Sequence, residues 1–322
     1  MIHDLASPKV VGITPFETPD PYIVRALKRS SAIAVLDIGR DEAALERALR
    51  RLGELEVEGF GIRIPEGVAA DPSKFGPEVD LVVLPFGSDL GKWKGREIWV
   101  QITAVDEAKR AIADGASGII VKGAESGGYV AEKTSFVLLQ KVVREAKARI
   151  WVQGGIGFHT AAACIAAGAC GVVLDSQLSL ALESQLPENI KKVIRKLDGT
   201  ETRVFGNYRL FFRNDLPIGK TTDISRSQIL ERLGAADLET NYIPMGQDVA
   251  FARIFADKFI SVSGIVRAID GSIGEHVRHA LENGPCDGMS RMARLHGTAY
   301  PIAQGPMSRV SDNPEFAKSV AM

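Results

Sequence analysis

The chain is poor in the residues that build disulfide frameworks and metal centres, with three cysteines and five histidines in 322 residues. Cys164, Cys170 and Cys286 are too few for a disulfide-stapled fold and lack metal-site spacing, and the histidines do not cluster. No metal site is expected, and Cys164 and Cys170 read as small buried residues of an Ala-rich helix and its exit. Net charge is also lacking. With 39 basic and 40 acidic residues the balance is −1, so there is no basic excess to neutralise a nucleic acid or an anionic membrane. No apolar run reaches the roughly 18 residues that a membrane helix needs, and the N-terminus lacks the basic-then-apolar layout of a signal peptide. The cytoplasm is the expected compartment.

What is present is a rhythm. Short apolar, β-branched runs occur at 9–14, 32–37, 60–64, 81–85, 98–102, 118–123, 150–153 and 171–175. Several are separated by helical stretches, such as 22–29 with Asp20 and Pro21 as its opening, 41–55, and 105–114 closed by Gly115. Runs apolar on both faces that alternate with helices describe a parallel sheet, and eight of them favour a closed (β/α)8 TIM-type barrel. The connections around the fourth run are only about a dozen residues, near the minimum for a crossover, so that side should be thin.

After Ser184 the rhythm changes to a basic helix at 186–197, an aromatic cluster at 204–216, a polar loop at 219–228 and further helices at 229–235, 249–258 and 261–279. This predicts a small, mainly helical subdomain inserted after the eighth strand, at about 200–260. It could form a lid over the mouth, or its aromatics could only pack the subdomain onto the barrel. The barrel unit is expected to span 1–285, with 286–322 as a linker and the start of a second, truncated barrel: 301–304, a turn and a helix at 313–321.

Three of the runs end in residues suited to an anion. They lead into Gly123-Ala-Glu-Ser-Gly127-Gly128-Tyr129, Gly154-Gly155-Ile156-Gly157 and Asp175-Ser176. Glycines let backbone N–H groups approach a phosphate, and a helix N-terminus behind them adds a favourable dipole. In a barrel all three loops open on one face. Any one of them could be only a tight turn; three in succession are more specific.

The motifs ESGGY at 125–129, GGI at 154–156, the run at 168–176 and PIAQGPM at 301–307 resemble the nitronate monooxygenase / 2-nitropropane dioxygenase family, FMN-dependent barrels that include flavin enoyl reductases. The likeness is closest to the tandem domains near the start of large polyketide synthases. It implies FMN phosphate on Gly154, Gly155, Ile156 and Ser176. It also implies the flavin ring across Thr14, Pro15, Phe16 and Gln101, with Gly127 and Gly128 beside it and Lys122 at its pyrimidine edge.

Two positions depart from the family pattern. Tyr129 stands where nitronate-oxidising members carry His, and a phenol is a poor base but a workable proton donor. Asp175 stands where a Gly precedes the phosphate-binding hydroxyl, and a carboxylate there opposes a phosphate unless it turns away.

The resemblance implies an FMN-dependent oxidoreductase, enoyl-reductase-like, acting through Tyr129 and Lys122 on an acyl chain, free or carrier-bound, with NAD(P)H as donor. Nitronate monooxygenase is an alternative activity. Another is a non-catalytic structural or docking barrel beside the other domains of a larger synthase. A flavin-free lyase or isomerase using Lys122 as a Schiff-base amine, or Glu125 as a base, is a further alternative.

Overall fold

A computed structural model describes residues 9–213, 224–284, 286–305 and 313–321. The ends of two expected features, 214–223 of the aromatic and polar stretch and 306–307 of the PIAQGPM motif, lie outside the described residues. The chain divides into two compact units, Met1–Gly274 and Glu275–Met322.

In the first unit eight strands close a parallel barrel: β1 (Val10–Ile13), β2 (Ile33–Asp37), β3 (Phe60–Arg63), β4 (Val79–Pro85), β5 (Glu97–Ile102), β6 (Gly118–Lys122), β8 (Arg149–Gln153) and β9 (Gly171–Leu174). Pairing of β9 with β1, Val11 opposite Val173, closes it. These strands read as apolar throughout because both faces are buried. Val11, Val35, Val83, Ile120 and Val173 fill the barrel, while Val10, Leu36, Val82, Ile119 and Val172 face the helices.

Two tryptophans, Trp99 and Trp151, stack inside the barrel with ring centroids 3.6 Å apart. The strand-opening glycines make room for them. A Cβ on Gly118 would lie 2.6 Å from Trp99, and one on Gly171 would lie 2.8 Å from Trp151.

The helices follow the caps in the sequence. Asp20 accepts from the Tyr22 and Ile23 N–H groups to start α1 (Pro21–Arg29), and Asp41 accepts from Ala43 N to start α2 (Glu42–Glu54). α3 (Val105–Ala113), α4 (Ser135–Glu145) and α5 (Phe158–Ala166) complete the outer layer beside these strands. The thin side is where the connection lengths put it. Between β3 and β5 only single 3₁₀ turns occur, Pro72–Lys74 and Leu90–Trp93, and the buried pair Phe75 and Trp93, 5.8 Å apart, covers the barrel in place of helices.

The inserted subdomain has helices α6 (Glu188–Ile194), α7 (Arg226–Arg232) and α8 (Ala250–Phe259), and α9 (Val262–Asn283) follows it. It also holds a feature the helical reading missed. β10 (Thr202–Phe205) and β11 (Tyr208–Phe211) form a hairpin, and β11 pairs antiparallel with β7 (Gly128–Tyr129).

The hairpin turns on Gly206 and Asn207, with φ of 51° and 69°. A two-residue turn with both φ values positive matches strand twist, so this Gly-Asn dipeptide was the available signal. The aromatics at 205–212 pack the subdomain: Tyr208, Phe211 and Phe212 share a core with Ile190, Ile229, Ile243 and Phe16.

In the second unit α10 (Arg291–His296) starts at Ser290, whose hydroxyl accepts from Ala293 N, and α11 (Pro314–Ala321) lies near the C-terminus. The strand expected at 301–304 does not form: among the described residues it has no neighbouring strand, and Ile302 is 79% exposed. A parallel strand obtains its ladder only from a neighbour.

Candidate active site

Nearly every barrel strand ends, at the mouth, in a polar side chain after an apolar run: Asp37, Arg63, Gln101, Lys122, Gln153 and Asp175. Sequence reading singled out three of these and missed Asp37, Arg63 and Gln153, although one polar residue closing each apolar run was legible.

The side chains are joined to one another. Arg63 Nη1 donates to Asp37 Oδ2 at 2.5 Å and to Glu17 Oε1 at 3.4 Å, and Arg63 Nε donates to Gln101 Oε1 at 3.1 Å. Gln101 Nε2 donates to Gln153 Oε1 at 2.7 Å, and Gln153 Nε2 donates to Asp175 Oδ2 at 2.7 Å. This chain of bonds crosses the mouth. Burial opposes the charge on Arg63, but Asp37 and Glu17 outweigh it and hold the guanidinium above its ordinary value. Burial likewise raises Asp37, against the pull of Arg63.

The segment expected to face a flavin ring is turned to other uses. Thr14 Oγ1 accepts from Asp37 N at 2.9 Å. Pro15 begins a 3₁₀ turn in which Phe16 and Glu17 adopt φ of 60° and 55°. That left-handed backbone is strained for side chains of this size, and it sends Phe16 into the subdomain core and Glu17 to Arg40, 2.6 Å away. The space left between Ile13, Thr14, Phe16, Lys122, Gly128 and Asp175 is about 20 Å³, enough for one water.

The glycine loops do form a cradle. Gly154 and Gly155 have φ of 108° and 67°, and a Cβ on Gly154 would lie 2.5 Å from Ser126 Oγ. Several polar groups of the cradle, however, have partners from within the chain. Asp175 turns its own Oδ1 to the Ser176 N–H. Gln177 Nε2 donates to the Ile156 carbonyl at 3.0 Å, and Gly157 N donates to Thr160 Oγ1 at 2.7 Å.

Asp248, which the sequence reading missed, brings its carboxyl to the Gly155 N–H and the Ser176 hydroxyl. Gln177 Nε2 donates to Asp248 Oδ2 at 3.1 Å, and Oδ1 has no hydrogen-bond partner among the described residues. Burial, followed by the nearby charge of Asp175, pushes Asp248 well above the ordinary carboxylate value. FMN phosphate was expected at this position. The residues present do not fit it: the buried Asp248 carboxyl and the half-buried Asp175 carboxyl both face the cradle, and the space beside Thr14 and Phe16 holds only about one water.

Two other residues behave differently from expectation. Glu125 Oε2 accepts from Ser135 N at 2.9 Å, opposite the N-terminus of α4, so it serves as a helix-end anion rather than a free base. Gly127 passes under the subdomain, where a Cβ would lie 2.2 Å from the Pro244 carbonyl oxygen. Tyr129 and Lys122 do come together. They line a cavity of about 180 Å³ with Glu66, Phe86, Gln101 and Arg226. Tyr129 meets Tyr208 edge-on, with centroids 5.4 Å apart. Cys164 is buried on α5, and burial pushes its thiol up to about 12, as suits a packing residue. No described helix is long and apolar enough to cross a membrane.

The fold and mouth define a closed parallel (β/α)8 barrel with a glycine-lined cradle at the C-terminal ends of its strands. Residues 93–209 match the family model described as nitronate monooxygenase, so the resemblance seen in the motifs holds. A Rhodococcus jostii (3aS,4S,5R,7aS)-5-hydroxy-7a-methyl-1-oxo-octahydro-1H-indene-4-carboxyl-CoA dehydrogenase is 28% identical over 185 residues, 50% of this chain and 51% of that protein. The chain thus spans about half the length of this curated relative. FabK from Thermotoga maritima superposes with a TM-score of 0.72 at 20% identity, covering 87% of this chain and 98% of FabK. The enoyl reductase domain of MlnA from Bacillus amyloliquefaciens gives 0.64 at 11% identity, covering 86% and 96%. At those identities the two structures share the fold.

Proposed function

We propose that this barrel keeps the frame of the nitronate monooxygenase family without its flavin, and serves as a structural or docking unit in a larger acyl-processing synthase. The observation that carries this reading is Asp248, whose buried carboxyl faces the Gly155 N–H and Ser176 hydroxyl where a phosphate would bind. A phosphate brought there would have to displace the Asp248 carboxyl and would meet the negative charge of Asp175, in a poorly solvated site where like charges repel strongly. The Arg63 web closes the ring position independently.

An FMN-dependent, enoyl-reductase-like oxidoreductase acting on an acyl chain with NAD(P)H is the second reading. It is favoured by the left-handed Gly154 and Gly155 and by the buried Lys122. In that reading Tyr129 donates the proton, and nitronate oxidation is disfavoured because a phenol stands at the position of the family's His.

A visible spectrum and FMN titration of the purified chain separate the two. A colourless protein that takes up no FMN at saturation supports the docking barrel. Stoichiometric uptake with flavin absorbance overturns it in favour of the reductase.

A further inference from the structure

Of the six polar side chains named at the strand ends, Lys122 is the one whose head group the web does not use. Lys122 closes β6, whose five residues are all buried, and it is itself 4% exposed. Among the described residues no hydrogen bond or ion pair fixes Nζ, whereas its neighbours Arg63, Gln101, Gln153 and Asp175 are tied to one another. Lys122 lines a cavity of about 180 Å³ with Phe86 and Tyr129 and with the charged Arg63, Glu66, Glu107 and Arg226. Cavities of about 150 Å³ accept a molecule the size of benzene, so this one has room for a small organic ligand.

A buried ammonium without a carboxylate partner is costly, while a buried neutral amine is tolerated and nucleophilic. We propose that Lys122 is a carbonyl-capturing amine, forming an imine with a small ketone or aldehyde seated in this cavity. The Nζ lone pair forms a bond to the carbonyl carbon, and the C=O π pair moves to oxygen. Proton transfer from nitrogen to that oxygen gives the carbinolamine. Protonation of its hydroxyl, for which Tyr129 lining the same cavity is the proton donor in this proposal, releases water as the nitrogen lone pair forms the C=N bond. Amine, carbonyl and one proton thus give one iminium and one water, with no oxidant or reductant. The electrostatics agree with the geometry. Burial and the Arg63 charge bring the amine down to about 8, against the opposing pull of Asp175, Glu17 and Glu66.

The inference goes beyond the docking role and does not depend on it. The test is borohydride trapping on the whole chain with butanone, a ketone that reacts poorly with solvated lysines, followed by peptide mass spectrometry. The reduced adduct is expected on Lys122 at tenfold or more over exposed lysines such as Lys94 and Lys141, with labelling that rises with pH to a midpoint near 8. Lys122→Arg should leave only the background. An even distribution over the lysines, or no adduct on Lys122, overturns the proposal. Because the readout is a labelled peptide from the unmodified chain, it stands whatever the FMN titration gives.

Discussion

Gln177 Nε2 donates to Asp248 Oδ2 at 3.1 Å, joining the turn after the last barrel strand to a residue 71 positions later. The same nitrogen donates to the Ile156 carbonyl at 3.0 Å, so one amide links the glycine cradle, the turn after β9 and the subdomain. The cradle is thereby bound into the fold by its own side chains.

Asp248 should cost stability at neutral pH. Its folded value is raised above 3.8, so the fold favours the protonated form. Its contribution is full below 3.8 and is lost as pH rises through the folded value. Asp248→Asn keeps an oxygen for Gln177 and removes the charge. Its thermal midpoint should exceed that of the parent at pH 7, with the gap closing as pH falls towards 4; an equal gap at both pH values would contradict this.

Arg63 holds Asp37 and Glu17 in place. Arg63→Met leaves Asp37 a buried carboxylate without a counter-ion, a change that costs about 3–5 kcal/mol in such settings. Glu17 keeps Arg40 at 2.6 Å, so adding Asp37→Asn should recover a good part of the loss. Urea unfolding of the single and double variants measures both.

Lys122 works in the opposite direction along the pH axis from an ordinary surface lysine. Lowered from 10.5 to about 8, it binds its proton more weakly folded than unfolded. Below pH 8 its burial therefore destabilises, by roughly 3 kcal/mol at 1.36 kcal/mol per unit. Lys122→Met should be the more stable protein at pH 7, and the difference should shrink as pH rises from 8 to 10.5. Paired denaturation curves across that range decide it.

Gly127→Ala tests how closely the subdomain sits on the mouth. The added Cβ would lie 2.2 Å from the Pro244 carbonyl oxygen and 2.9 Å from Gly246 N, both backbone atoms that cannot swing aside. A loss of about 1–3 kcal/mol is expected. Hydrogen exchange should quicken in the Gly128–Tyr129 and Tyr208–Phe211 ladder, while the Trp99–Trp151 region of the barrel keeps its protection.

Much of the frame was legible because its signals are local. A strand buried on both faces reads as an apolar run wherever it lies, and Asp20, Asp41 and Gly115 mark helix ends by their own geometry. The hairpin at Gly206-Asn207 was also written locally, in a dipeptide that the aromatic cluster around it obscured. Its partner was not, since nothing near Tyr129 announces that Tyr208 lies opposite it.

The sequence by itself determined that eight apolar runs would be buried on both faces and that glycines would line the loops after β6 and β8, because burial and turn geometry depend on neighbours in the chain. Only the tertiary structure decided what those loops hold. Closing the barrel brings Asp37, Arg63 and Gln101 from three strands to one level, and folding the subdomain back sets Asp248 against Gly155 and Ser176. Interactions between side chains that distant in sequence depend on strand stagger and on the path of the returning chain. No local pattern carries either, so the same glycines that read as a phosphate cradle came to face a carboxyl of the protein's own.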